Sequence, residues 1–81
     1  MKKTIYIQYY AILREQRGLS QETLMTDAKT PFELYNELKN SYGFTLLSDM
    51  IKIAINDEFK EEETLLQPND RVVFIPPVAG G

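Results

Sequence analysis

The chain has 81 residues, 43% of them apolar and 26% charged, with a formal net charge of −3 and a pI near 4.8. A chain this short makes one domain, residues 1–81, and buries about 60–65% of its unfolded surface, which leaves no room for both a core and a deep substrate cleft. It contains neither Cys nor His, which excludes disulfides, thiol nucleophiles and thiolate metal sites and removes the commonest general base and metal ligand, so no metal is expected.

Residues 4–9 alternate between β-branched or aromatic and polar side chains and read as a strand. Ile5, Ile7 and Tyr9 share one face, and Thr4, Tyr6, Gln8 and Tyr10 the other. Residues 11–17 are good helix formers that stop at Gly18. Residues 21–26 form a weaker strand, expected to pair antiparallel with the first. Thr30, Pro31 and Glu33 supply an N-cap, a first-turn proline and a capping-box partner. Pro31, Leu34, Tyr35, Leu38 and Tyr42 then recur at helical spacing up to Gly43, a stripe suited to packing on a sheet.

Ile51, Ile53 and Ile55 line one face of a third strand, Asn56-Asp57 is a turn, and residues 58–60 return as a short strand. Glu61, Glu62 and Glu63 read as a solvated loop, since three adjacent acids lack the fixed offsets of a cation-binding loop. Leu65 and Leu66 are expected to plug the core edge, residues 67–70 to turn, and residues 71–75 to form the last strand. Pro76 and Pro77 end that strand and stiffen the exit, so residues 76–81 are expected to form an extended, flexible tail. The nine cations are scattered along an acidic chain, a poor match to a phosphate backbone. No apolar run approaches the roughly 20 residues of a membrane span, and the N-terminus opens on a strand pattern rather than a signal segment. A cytoplasmic location is the expectation.

This order of elements predicts an α+β domain, a mixed sheet with one main helix packed across one face. The other face is then left open. Thr4 and Gln8 should point outward, taking Tyr6 and Tyr10 with them. Arg71 should do the same in the last strand, with Val73 and Ile75, while Val72 and Phe74 go inward. With Phe59 at the same edge, Tyr10, Val73 and Ile75 form an exposed apolar patch beside the exit of the tail, of the kind that marks interaction surfaces.

The tail Phe74-Ile75-Pro76-Pro77-Val78-Ala79-Gly80-Gly81 closely resembles the C-terminal signature of molybdopterin synthase small subunits. Tyr9-Tyr10-Ala11, Leu13-Arg14-Glu15 with Gly18, and Ala54-Ile55-Asn56 are similar to other segments of that family, so the resemblance runs end to end. It implies a ubiquitin-like β-grasp fold and a sulfur-carrier role in molybdenum cofactor synthesis. In that scheme a ubiquitin-activating-type adenylyltransferase uses ATP to adenylate Gly81. A sulfur donor of the cysteine desulfurase or rhodanese type converts the adenylate to a thiocarboxylate. The synthase large subunit then receives the tail and passes the sulfur to cyclic pyranopterin monophosphate, in an assembly of two small and two large subunits.

Carried over residue by residue, Gly81 is the sulfur-bearing position, Pro76, Pro77, Val78, Ala79 and Gly80 enter the partner's channel, and Tyr10, Phe59 and Ile75 occupy the family's apolar docking positions, with Val73 of the exposed patch beside them. Tyr10 and Ile75 stand where other members often have phenylalanine. Gly-Gly without side chains suits a narrow tunnel, and the proline stem limits the entropy of ordering it. The chain would be a substrate and sulfur donor rather than an enzyme, with no cofactor of its own. Alternatives are a ubiquitin-like modifier of lysines, a thiamin-type sulfur carrier, and a plain ubiquitin-like binding module.

Overall fold

The computed structural model describes residues 2–77; Met1, Val78, Ala79, Gly80 and Gly81 lie outside the described residues. In chain order the elements are β1 (Lys3–Tyr9), α1 (Ala11–Arg17), β2 (Gln21–Thr26), α2 (Pro31–Tyr42), a 3₁₀ turn (Ser48–Met50), β3 (Lys52–Ile55), β4 (Glu58–Lys60) and β5 (Arg71–Ile75). The sheet runs β2-β1-β5-β3-β4. β1 and β5 are parallel, and the other pairs are antiparallel. The last strand therefore lies at the centre of the sheet, and the chain emerges beside the end of the first strand. This is the mixed α+β sheet expected from the sequence.

The alternation in β1 places Ile5, Ile7 and Tyr9 in the core. Register carries the same face to Leu24 on β2, to Val72 and Phe74 on β5, and to Ile53 and Ile55 on β3. Across it, α2 buries Pro31, Leu34, Tyr35 and Leu38. Leu13 of α1, with Phe44, Ile51 and Leu66, closes the margins of the same apolar cluster. Each fully buried Leu, Ile or Phe is worth about 1.5–3 kcal/mol relative to exposure, so this one cluster dominates the stability.

Helix ends follow the sequence signals, with one change. Thr30 Oγ1 accepts from Glu33 N at 3.2 Å, but the Glu33 carboxylate reaches back to Lys29 N (3.1 Å) rather than to the cap residue itself. Gly18 and Gly43 end α1 and α2 in the left-handed region, where a Cβ is disfavoured.

Three expectations need correction, and one short element is added. Tyr42, counted in the core stripe, lies at the end of α2 under the Arg17 guanidinium, 3.9 Å from its ring centre, and is partly exposed. Of the two leucines expected to plug the edge, Leu66 is buried but Leu65 is 65% exposed, because the Leu66 N–H bonds to Lys29 O and fixes which of the adjacent side chains turns inward. Pro76, grouped with the free tail, is buried, and exposure begins at Pro77. The 3₁₀ turn at Ser48–Met50 was not foreseen; three residues are too few to show a period.

Candidate functional site

On the open face, cross-strand pairing sets a row running from edge to edge: Phe59, Ala54, Val73, Gln8 and Gln21. Phe59 stands 72% exposed on the edge strand. Val73 is half-buried, and Ala54 between them is only 8% exposed, so two larger neighbours cover a small residue. Toward the end where the chain leaves, Lys52 pairs with Ile75, and Tyr9 with Phe74. Tyr10 and Ile75 come one step beyond that last pair, Tyr10 43% exposed and Ile75 half-buried. Tyr10, Val73 and Ile75 thus lie on the face assigned to them by alternation, and the pairing of Phe59 with Ala54 puts Phe59 on it too. Tyr6 and Ala54 belong to it too, and Lys52 puts a cation beside Ile75. Ala54 went unassigned because only register, a non-local property, sets it against Phe59 and Val73.

Two local devices hold this face. Ala11, directly after Tyr10, has φ 51°, a left-handed conformation uncommon for alanine. It turns the chain from β1 into α1, where Leu13 N bonds to Tyr10 O at 3.1 Å. At the other side Asn56 and Asp57 both have positive φ, 52° and 73°, as a two-residue hairpin requires. Asn56 is tied to the start of β5 and the residue before it by three bonds: Nδ2 to Asp70 Oδ1 (2.9 Å), Arg71 N to Oδ1 (3.0 Å) and its own N–H to Arg71 O (2.8 Å). Arg71 also pairs with Asp57 at 2.9 Å. The hairpin carrying Phe59 is therefore held at its turn to the strand that leads to the tail.

Behind the face, Tyr9 OH donates to Glu22 Oε2 at 2.5 Å, and Arg17 grips the same carboxylate through both oxygens at 2.8 and 2.9 Å. Burial first, then the Glu22 hydrogen bond and charge, push the Tyr9 phenol well above its ordinary value. The Arg17 hydrogen bond, reinforced by Tyr9, holds Glu22 below the usual carboxylate range against its partial burial. Among the described residues every buried side-chain nitrogen or oxygen has a partner, and no three acidic side chains are grouped to hold a metal ion. No described helix is long and apolar enough to cross a membrane. The tail positions Val78, Ala79, Gly80 and Gly81 fall outside the described residues, so the structure locates their root, at Ile75, Pro76 and Pro77.

Residues 7–81 match the ThiS family. The chain belongs to that family. Small ubiquitin-like carriers of this type are generally non-catalytic. Among curated relatives, the human molybdopterin synthase sulfur carrier subunit is 27% identical over 82 residues, spanning 95% of this chain and 93% of that one. A 2,3-bisphosphoglycerate-independent phosphoglycerate mutase from Mycoplasmoides gallisepticum is 33% identical over 76 residues; the match covers 88% of this chain but only 15% of that protein's length. The fold is shared with the small archaeal modifier protein SAMP1 from Methanosarcina acetivorans, at TM-score 0.78 and 23% identity over 100% of this chain and 99% of that one. It is also shared with a chain of the complex of subunits 1 and 2 of the Helicobacter pylori molybdopterin-converting factor, at TM-score 0.63 and 24% identity over 96% and 99%. The fold is therefore the ubiquitin-like β-grasp, and the chain is a sulfur carrier of the ThiS type.

Proposed function

We propose that this carrier serves as the small, sulfur-donating subunit of a molybdopterin synthase. The observation that carries the reading is the central position of β5: the chain leaves an open apolar face at Ile75-Pro76 and runs into Val78-Ala79-Gly80-Gly81. In this scheme Tyr10, Phe59, Val73 and Ile75 dock the partner. Buried Pro76 anchors the root, while Pro77 and residues 78–80 enter the partner's channel.

A carboxylate is a poor electrophile. An adenylyltransferase that consumes ATP converts Gly81 to an acyl-adenylate; a persulfide on the sulfur donor displaces AMP to give an acyl disulfide, and a thiol of the donor system cleaves its S–S bond, leaving the Gly81 thiocarboxylate and a disulfide. In the large subunit that sulfur is transferred to cyclic pyranopterin monophosphate, and the carboxylate is regenerated. The human relative and the two-subunit complex from Helicobacter pylori support this assignment.

Intact mass spectrometry of protein made with an active sulfur donor is expected to show a species heavier by the oxygen-for-sulfur difference at Gly81. Deleting Gly81 is expected to abolish molybdopterin synthesis in a reconstituted system; synthesis that survives the deletion would sink the proposal. The likeness to SAMP1 favours a second reading, conjugation to lysines. Gly81-dependent isopeptide conjugates, in place of sulfur transfer to the pterin, would decide for it.

A further inference from the structure

Phe59 stands on β4, an edge strand of three residues whose neighbour in the sheet is β3, so its position relative to β5 is passed on through an intervening strand. The turn between β3 and β4 also reaches the start of β5 directly, through two side-chain links. The ion pair of Arg71 with Asp57 joins side chains that are each more than half exposed, and such pairs contribute little. The link through Asp70 is of another kind, because Asp70 is only 8% exposed. Its Oδ1 accepts from Asn56 Nδ2 at 2.9 Å and its Oδ2 from Gln67 N at 2.8 Å. Its main-chain carbonyl accepts from Tyr6 N at 3.0 Å, which fastens the same residue to β1. Asn56 Oδ1 in turn accepts from Arg71 N at 3.0 Å. These side-chain bonds dictate the residue types. Asp70 accepts at both oxygens, so the amide of Asn would set an NH2 group against a donor. Asn56 accepts at one atom and donates at the other, so the carboxylate of Asp would face that of Asp70. The backbone agrees, since Asn56 has φ 52°, a conformation that Asn and Asp tolerate better than most residues with a side chain.

We infer that Asn56 and Asp70 are positioning residues for partner docking: they set the hairpin so that Phe59 stands in line with Val73, on the strand that leads to the tail. The pair lies at the start of β5, four residues and about 13 Å of strand before Ile75, so it is remote from the transferred sulfur. It therefore acts on capture of the carrier by its partner and leaves the chemistry at Gly81 untouched. Preorganisation is the physical means: a hairpin already in place is not ordered at the expense of binding energy. The inference rests on the docking role given to Phe59 in the carrier reading, and extends it to two residues that the partner need not touch.

The test varies the concentration of thiocarboxylated full chain against the synthase large subunit, at a temperature where thermal melts show every variant folded. Asn56→Ala and Asp70→Asn are each expected to raise KM for the carrier about tenfold with kcat unchanged, the scale of one buried hydrogen bond lost. Exchanging the two residues, Asn56→Asp together with Asp70→Asn, keeps the charge and rebuilds the bonds with reversed polarity. The new carboxylate at position 56 accepts from Arg71 N and from the new amide at position 70, whose oxygen accepts from Gln67 N. KM is then expected to return to within about twofold of the parent. In a Phe59→Ala background Asn56→Ala is expected to add less than about twofold, because the residue it positions is gone. An exchanged pair no better than the single variants, losses in kcat rather than KM, or effects of Asn56→Ala and Phe59→Ala that simply multiply would each overturn the inference. Amide exchange followed by NMR needs no partner. Asn56→Ala should speed exchange across residues 58–60 far more than at Ile5 and Ile7, and equal acceleration at both would also overturn it. A parent chain that transfers no sulfur would count against the carrier reading and leave the exchange measurement to decide whether the pair positions the hairpin.

Discussion

On the helix-covered face, Tyr9, Tyr35, Phe44 and Phe74 interlock with ring centroids 5.4 to 6.5 Å apart and are all buried. On the open face lie Tyr6 of β1, Tyr10 just beyond its end and Phe59 of β4, each substantially exposed. Aromatic content alone therefore does not separate core from surface in this molecule. What separates them is whether α2 lies over the ring. Aromatics under the helix hold the domain together, and aromatics on the other side are available to a partner.

That contrast is broken most sharply at two neighbouring positions of β5. Phe74→Ala removes a fully buried ring that packs on Tyr9 and Tyr35, and is expected to cost about 3–5 kcal/mol in urea unfolding. For so small a domain that is most of the stability. Glu22→Gln comes next, at about 1–2 kcal/mol, because it weakens the clamp of Arg17 and Tyr9 on one carboxylate. Its signature is pH. The folded pKa of Glu22 lies below its unfolded value, so its contribution is complete above the ordinary carboxylate pKa of about 4.3 and is lost as acid protonates the folded form. Acid unfolding of Glu22→Gln should accordingly be flatter below that pH, and parallel curves would show that Glu22 contributes nothing specific.

Ile75→Asp, on the open side of the same strand, should cost only about 1 kcal/mol while weakening partner binding by much more. Global unfolding of this variant would erase the distinction between the two faces. The smallest effect has the opposite sign. Ala11→Gly relieves a positive φ next to Tyr10 and should stabilise by about 0.5 kcal/mol, the relief of strain less the added entropy of glycine in the unfolded chain. A destabilised Ala11→Gly in thermal melts would mean that the left-handed turn is unstrained.

The pieces read most directly from sequence were those set by short-range chemistry. The Thr30–Glu33 start, the glycine stops at Gly18 and Gly43, the Asn56-Asp57 turn and the period-two alternation in residues 4–9 and 71–75 each depend on neighbours a few positions away. With the alternation came the side of the sheet on which Tyr10, Val73 and Ile75 lie, and with the tail motif came the family.

Tertiary structure decided what depends on distant partners. Only the central placement of β5 brings Ala54, Val73 and Gln8 into one row, and only the Asn56–Asp70–Arg71 ties fix the Phe59 hairpin at its turn to that strand. Burial of Pro76, the outward turn of Leu65 and the pairing of Tyr42 with Arg17 follow from packing between segments far apart in the chain. The identity of the chain's end was thus written locally in its residues, whereas the surface from which that end departs exists only once β1, β3 and β5 have come together.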